Sequence, residues 1–167
     1  MNLAKRHYLR EKEAKEIFVK ASKNLRKIDV QIFIKNLEVI RIDPQNEVFL
    51  SKGKPSFINI GNEVFPTLLN NDVLTDLPKI TVDKGAVLHV CNGANLMAPG
   101  IMKVIGEFQT GEMAIVVDVE FLKPLALVKT LFNSKEMAEK RQGKVAENIH
   151  YVGDKFWEAF KNMKKKG

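Results

Sequence analysis

The punctuation of this chain limits its fold more than any other feature. Its strand-like apolar runs are short, and turn residues close each one before it can lengthen. Val39 and Arg41 lead into the cluster Asp43-Pro44-Gln45-Asn46, with Glu47-Val48-Phe49-Leu50 on the far side. Lys52-Gly53-Lys54-Pro55 makes the next turn, ahead of a run over residues 56–60. Residues 113–121 are dense in β-branched side chains, Lys123-Pro124 turns the chain, and residues 125–131 return. Residues 144–152 read as a final strand. Short strands joined by tight turns, with few helices, predict an α+β chain whose second half is a small mixed barrel.

The helical signals are fewer. Over the first thirty residues Leu3, Tyr8, Leu9, Ile17, Phe18 and Leu25 stand among Lys, Arg and Glu, as in a helix or helix pair. Val30, Ile32 and Ile34 then alternate as a strand would. Pro78 marks a boundary, after Glu63-Val64-Phe65-Pro66-Thr67-Leu68-Leu69 near the end of the first part. The expected organisation is an α+β domain over 1–77, a second domain over 78–155, and a terminal helical turn with a basic tail over 156–167.

Beyond Pro78 a strand over residues 79–82 precedes the best-defined helix. Asp83 is a good N-cap and Gly93 a good terminator. On that helix Val87, Val90, Cys91 and Ala94 share one face, with Gly85, His89 and Asn92 opposite. The cysteine is therefore predicted inside and the histidine outside. Asn133 with Glu136 three residues on forms a capping box for a helix over 134–142, which Gly143 ends.

Charge supplies a partner class. The 167 residues carry 27 Lys and Arg against 20 Asp and Glu, a net +7. Such a surplus makes a polyanion the first partner to consider, because basic side chains gain affinity by releasing the counterions condensed on phosphates. The surplus is uneven. Residues 1–77 hold 13 basic and 10 acidic side chains, residues 78–154 hold 9 and 9, and residues 155–167 hold 5 and 1. The last stretch includes Lys161, Lys164, Lys165 and Lys166, which reads either as a solubilising tail or as a phosphate contact.

Other classes fare poorly. The single cysteine, Cys91, can form neither an internal disulfide nor a cysteine-rich zinc site. His7, His89 and His150 have no metal-ligand spacing. Phosphate-loop, dinucleotide and nucleophile-elbow motifs are missing, and Asp118 and Glu120 read as ordinary surface carboxylates. No cofactor and no metal is expected. With no apolar run near ~18 residues and no secretory leader core, the expected setting is soluble, reducing and cytoplasmic, away from membranes.

The informative stretch is Gly93-Ala94-Asn95-Leu96-Met97-Ala98-Pro99-Gly100-Ile101. Glycine and alanine after a helix either let a ligand backbone approach, with freed amides meeting phosphate or sugar, or simply stop the helix ahead of a strand. Taken with Val82-Asp83-Lys84-Gly85-Ala86 before it, this stretch resembles the opening helix, glycine loop and second strand of the PUA domain, a small RNA-binding module. Residues 143–154, with Phe156-Trp157 after them, resemble the family's last strands and closing turn. Val64-Phe65-Pro66-Thr67-Leu68 resembles the end of the pre-PUA domain of one branch, the eukaryotic malignant-T-cell-amplified-sequence proteins and their archaeal relatives. The likeness spans roughly residues 60–158, and residues 1–59 match mainly in length and α+β character.

The resemblance implies an N-terminal pre-PUA domain followed by a pseudobarrel of about six strands, with helix, glycine loop and final strand forming the RNA surface. The RNA-binding candidates it carries over are Lys84, Gly85, His89, Gly93, Ala94, Asn95, Met97 and Pro99, with Glu147, Asn148 and His150 on the last strand. Lys84 and His89 would meet phosphates, Gly93 and Ala94 would offer backbone groups, and Asn95 would bond a 2′-hydroxyl or base edge. On residue character Met97, Pro99 and Ile101 read as barrel core ahead of contact, and His150 reads equally as a satisfied structural histidine beside Tyr151. The implied partners are structured RNA (rRNA or tRNA) and the small ribosomal subunit, in translation initiation or recycling. Alternatives are an adaptor that docks a protein through its N-terminal domain, and an accessory factor for tRNA or rRNA modification. An RNA-modifying enzyme has no catalytic set to support it.

Overall fold

Hairpin pairing between chain neighbours builds the first of two units: residues 1–73 with 158–167, and residues 74–157. The computed structural model describes residues 6–25, 27–33 and 35–164. Leu3, Ile34, Lys165 and Lys166, which figured in the sequence expectations, lie outside them.

In the first unit β1 (His7–Tyr8) precedes α1 (Glu11–Asn24), and β2 (Glu38–Asp43), β3 (Asn46–Ser51), β4 (Lys54–Ile60) and β5 (Glu63–Pro66) follow. The sheet runs in the order β1-β2-β3-β4-β5, with every neighbour antiparallel. Its turns follow from their residues. The carboxylate of Asp43 accepts the Gln45 N–H at 3.0 Å, and Lys52 and Gly53 take φ of 50° and 75°, the left-handed pair that a tight hairpin needs. Acidic Glu11 and Glu13 begin α1 and Lys23 lies in its last turn, matching the helix dipole. The helix packs on β5 and buries Ala14 and Ala21, while Val48, Phe49, Ile58 and Phe65 fill the sheet's core.

One expectation fails here. Residues 31–33 form a 3-10 turn (Gln31–Phe33) and not a strand. The Asp29 carboxylate caps the Gln31 N–H at 2.9 Å, and the Phe33 N–H bonds the Val30 carbonyl. That turn exposes Ile32 and sends Phe33 edge-on to Phe57, with ring centroids 5.3 Å apart.

After α2 (Asn71–Leu74) the second unit contains β6 (Lys79–Val82), α3 (Lys84–Val90), β7 (Leu96–Met97), β8 (Ile101–Ile105), β9 (Met113–Asp118), β10 (Pro124–Thr130), α4 (Ser134–Glu139) and β11 (Lys144–Tyr151). Its six-stranded sheet runs β7-β11-β10-β9-β6-β8, mixed because β6 and β9 are parallel. Ile80, Val82, Leu96, Val116, Val128 and Val145 anchor its core. The capping box appears as read, with Asn133 accepting the Glu136 N–H at 2.9 Å. The helix it starts ends at Glu139, short of the expected residue 142, because Lys140 is extended. α5 (Lys155–Lys164) is a ten-residue helix where the sequence suggests one turn, and its residues from Glu158 onward group with the first unit.

The strand order dictates curvature. β7 and β8 lie at opposite ends of the sheet, yet only Ala98–Gly100, a 3-10 turn, joins them. The four Cα steps from Met97 to Ile101 can span at most ~15 Å. Six flat strands would hold their outer members ~24 Å apart. The sheet must curl, so the expected pseudobarrel follows from chain length alone. At the crossing, α3 presses on the backbone: a Cβ added to Gly100 would lie 2.6 Å from the Ala86 Cβ. The Asp83 N–H also bonds the Gly100 carbonyl at 3.1 Å.

Gly100→Ala should therefore lower stability by ~1–3 kcal/mol through overpacking. Adding Ala86→Gly should recover part of that loss, although glycine within a helix itself costs ~1 kcal/mol. Urea unfolding measures both, and an unchanged midpoint for Gly100→Ala would refute the contact. The first unit carries a pH term. Arg6 grips the buried Glu38 carboxylate through Nε and, at 2.8 Å, Nη2, and its hydrogen bond holds that carboxyl below the ordinary glutamate value of 4.5. A depressed carboxylate stabilises the fold above its unfolded value, and that contribution disappears as pH falls through the folded value. Acid titration should show this loss in the parent protein and a smaller one in Glu38→Gln.

Candidate nucleic-acid interface

Asp83 sets the helix that shapes the interface. Its carboxylate accepts the Ala86 N–H at 2.8 Å, and α3 runs seven residues from there. His89 and Leu88 face outward, and Cys91 is half-buried. Burial pushes the Cys91 thiol up, away from the reactive thiolate. The helix ends by consuming its own loop. The Gly93 N–H bonds the Val90 carbonyl at 3.0 Å, and the Ala94 N–H bonds the His89 carbonyl at 3.0 Å. The amides expected to meet RNA at Gly93 and Ala94 are thus already spent inside the protein.

β11 holds this loop in place. The Asn148 N–H donates to Asn95 Oδ1 at 2.9 Å, and Asn148 Nδ2 donates to the carbonyls of Val90 and Ala94, both at 3.0 Å. Tyr151 lies across Gly93, where a Cβ would come within 2.9 Å of its hydroxyl. Gly93 also takes φ 88°, so both its backbone and its missing side chain are structural requirements. β7 pairs with β11, Met97 opposite Lys144, and the Ala98 N–H reaches the Gly143 carbonyl at 2.9 Å.

These elements leave an open groove of about 420 Å³. Gly85 and His89 of α3 form one side, Ala94 and Asn95 the loop end, and Met97 and Pro99 the other side, over Val90 and Leu96. Six of the eleven sequence-derived candidates therefore meet on one surface. Alternation through β7 and the turn after it buries Leu96 and Ala98 and turns out Met97, 48% exposed, and Pro99. The core reading fails for Met97 and Pro99, and only Ile101 packs against the core.

The other five candidates lie elsewhere. Lys84 is exposed beside the groove and pairs with Glu120 at 3.0 Å. Gly93 lies under Tyr151, and Asn148 braces the loop from below. His150 is fully buried, its Nδ1 2.6 Å from Asp154 Oδ2 and its ring edge-on to Phe156. As placed, it cannot touch a ligand. Glu147 remains exposed and pairs loosely with Lys144 at 3.7 Å. Asp118 is no plain surface carboxylate: it accepts the N–H groups of Glu120, Phe121 and Lys123, which hold its carboxyl below the usual range. Tyr151 and Gly100, which shape the loop and the groove, were missed because only the packed partner reveals their role. Among the described residues no cluster of three His, Cys, Asp or Glu could hold a metal ion. No described helix is long and apolar enough to cross a membrane.

Comparison with known proteins agrees with this geometry. Residues 78–152 match the PUA domain model, and residues 5–70 match a domain of unknown function, DUF1947. An uncharacterized protein of Methanocaldococcus jannaschii is 35% identical over 94% of this chain and 98% of its own length. Translation machinery-associated protein 20 of Schizosaccharomyces pombe is 27% identical, covering 83% and 81%. Malignant T-cell-amplified sequence 2 of Homo sapiens is 31% identical, covering 72% and 70%. The crystal structure of a hypothetical protein from Pyrococcus horikoshii superposes with a TM-score of 0.75 at 31% identity, over 93% of this chain and 99% of that one.

The bracing role of Asn148 can be checked without any ligand. Asn148→Ala takes the side-chain donor from the Ala94 carbonyl and one of two donors from the Val90 carbonyl, and should cost ~1 kcal/mol. Asn148→Asp should cost more, because a carboxylate would face the Val90 and Ala94 oxygens. If both variants match the parent in thermal unfolding, the loop does not depend on this side chain.

Proposed function

This chain belongs to the family of PUA-domain proteins with a DUF1947 region ahead of the module, and from that we propose a non-enzymatic, cytoplasmic RNA-binding protein of the translation apparatus. Its partner in this reading is tRNA or rRNA of the small ribosomal subunit, engaged during initiation or recycling. The observation that carries the proposal is the groove of Gly85, His89, Ala94, Asn95, Met97 and Pro99, within the segment that matches the RNA-binding module.

The groove suits structured RNA near an unpaired end. Gly85 and Ala94 leave room for a sugar-phosphate backbone, and Met97 and Pro99 give an apolar wall for a sugar or base face. Asn95 commits its carbonyl oxygen to Asn148, so its NH₂ is the group it can offer to a phosphate, 2′-hydroxyl or base edge. His89 supplies a polar ring on the same side, and Lys84 adds a cation that must leave Glu120 to reach a phosphate. The translation setting draws support from the S. pombe relative, which is named for the translation machinery. Against catalysis stand the raised Cys91 thiol and a His150 locked in the core.

One observation favours a second reading, a protein adaptor. The turn after β9 presents Val119, Phe121 (72% exposed) and Leu122 as an apolar tip, pinned by the three amide bonds to Asp118. Pull-down before and after nuclease separates the two, since a protein-held complex survives digestion.

Co-sedimentation with small ribosomal subunits and mobility shift with tRNA test the main reading. Binding to either at low salt is expected, and Lys84→Glu with His89→Ala should weaken it roughly tenfold, the size of one or two lost phosphate contacts. Absence of both interactions at low salt would end this reading. Unchanged affinity in the folded double variant would move the RNA off this groove.

A further inference from the structure

A second groove adjoins the first. It lies between β8 and α4, encloses about 530 Å³ and is lined by Pro99, Met102, Lys103, Ala138, Lys140 and Arg141. Pro99 lines both grooves, so the Ala98–Gly100 crossing forms the ridge between them. Residues 78–154 are neutral in total, but their charge is not spread evenly: three cations line this groove and no described carboxylate does.

The cations are available. Lys103, Lys140 and Arg141 are exposed and, among the described residues, none is in an ion pair. The Lys140 ammonium rests 4.1 Å from the Phe132 ring centroid, which holds the side chain without neutralising it. Arg141 Nη1 donates to the carbonyls of Ala138 and Lys140, both at 3.1 Å, closing the end of α4. Its Nε and Nη2 donors remain for an anion. Met102, 59% exposed, and Ala138 give an apolar floor beneath these charges. Cations over an apolar floor suit a phosphodiester backbone with its sugars turned inward.

We infer that this basic groove carries the backbone of the bound RNA onward from the α3 groove, across Pro99, with Lys103, Lys140 and Arg141 on phosphates and Met102 beneath a sugar. The inference rests on the RNA-binding reading above and gives that site its path and its main electrostatic contribution. RNA is favoured over an acidic protein by continuity with the α3 groove.

The methionines make the test direct, because Met97 reports the first groove while Met102 and Met137 report the second. The full chain, labelled with ¹³C-methyl methionine, is titrated with a short RNA hairpin bearing a single-stranded 3′ overhang. Shifts at Met97 together with Met102 and Met137 are expected. The variant Lys103→Ala/Lys140→Ala/Arg141→Ala should bind that hairpin with a salt-dependence slope lower by about 2–3, one per phosphate lost. Its undisturbed methyl spectrum verifies folding.

Shifts confined to Met97, or an unchanged slope in the folded triple variant, would overturn this inference and leave the RNA-binding reading intact. Polyglutamate reproducing the Met102 and Met137 shifts at equal affinity would overturn it too, by showing charge attraction without RNA preference. Aggregation of the triple variant with unchanged hairpin affinity would likewise overturn it, assigning Lys103 to protection of an edge strand. No binding by the parent protein at low salt would defeat the RNA-binding reading itself.

Discussion

The three-residue crossing from β7 to β8 is the constraint on which the second unit depends. A chain that must pass from one edge of a six-stranded sheet to the other through Ala98–Gly100 can do so only if the sheet closes toward itself. Closure brings β7, β11 and the first turn of α3 to one end of the barrel. It also puts the backbone of Gly100 against Ala86, where two methyl groups cannot coexist. The groove walls are consequences of that closure: Pro99 stands on the crossing, Met97 just before it, and Gly85 and His89 on the helix seated over it. The barrel therefore shapes its candidate binding surface by topology before any side chain chooses a ligand.

β11 is the second support, and it works through polar groups. A loop that buries carbonyls without partners would lose about 1–3 kcal/mol for each. Asn148 lowers that cost by spending one amide on the Ala94 carbonyl and on the Val90 carbonyl, which the Gly93 N–H also serves, and its own N–H on Asn95. His150 does similar work deeper in, where Asp154 also caps the start of α5 through the Trp157 N–H at 2.8 Å. These residues lie near the groove because they build it.

That distinction explains what the sequence could and could not reveal. The Asp83 cap, the Gly93 stop, the Asn133–Glu136 box and the early hairpins are local, so short spacing is enough to find them. The outward turn of His89 and the core position of Val90 followed from helical period. The strand expected near Val30 failed because an Asp29 carboxylate two residues before Gln31 outweighed the alternation. His150 failed for a different reason. Alternation puts Asn148 and His150 on one face of a strand, but pairing with β10 jumps from Leu127–His150 to Val128–Asn148. The unpaired Ile149 is a bulge, and one extra residue reverses every side chain beyond it. Bulges are set by the partner strand, which no spacing within β11 can show. The resemblance marked the segment that forms the groove, but it could not divide that segment into residues that line the groove and residues that hold its wall.

Net charge taught the same lesson in a different form. A module with equal numbers of acidic and basic side chains has no net attraction for a polyanion, and the chain's surplus lies in its two ends. Totals, however, say nothing of placement. Several carboxylates of this module are occupied locally: Asp83 and Glu136 at helix starts, Asp118 in its turn, Asp154 on His150, Glu120 on Lys84. Lys161 in α5, by contrast, already pairs with Glu158 at 3.0 Å. A phosphate meets the local field within about one Debye length, ~8 Å at physiological salt, and not the sum over the chain. Neutrality in total is thus compatible with a cationic track, provided the carboxylates are spent elsewhere.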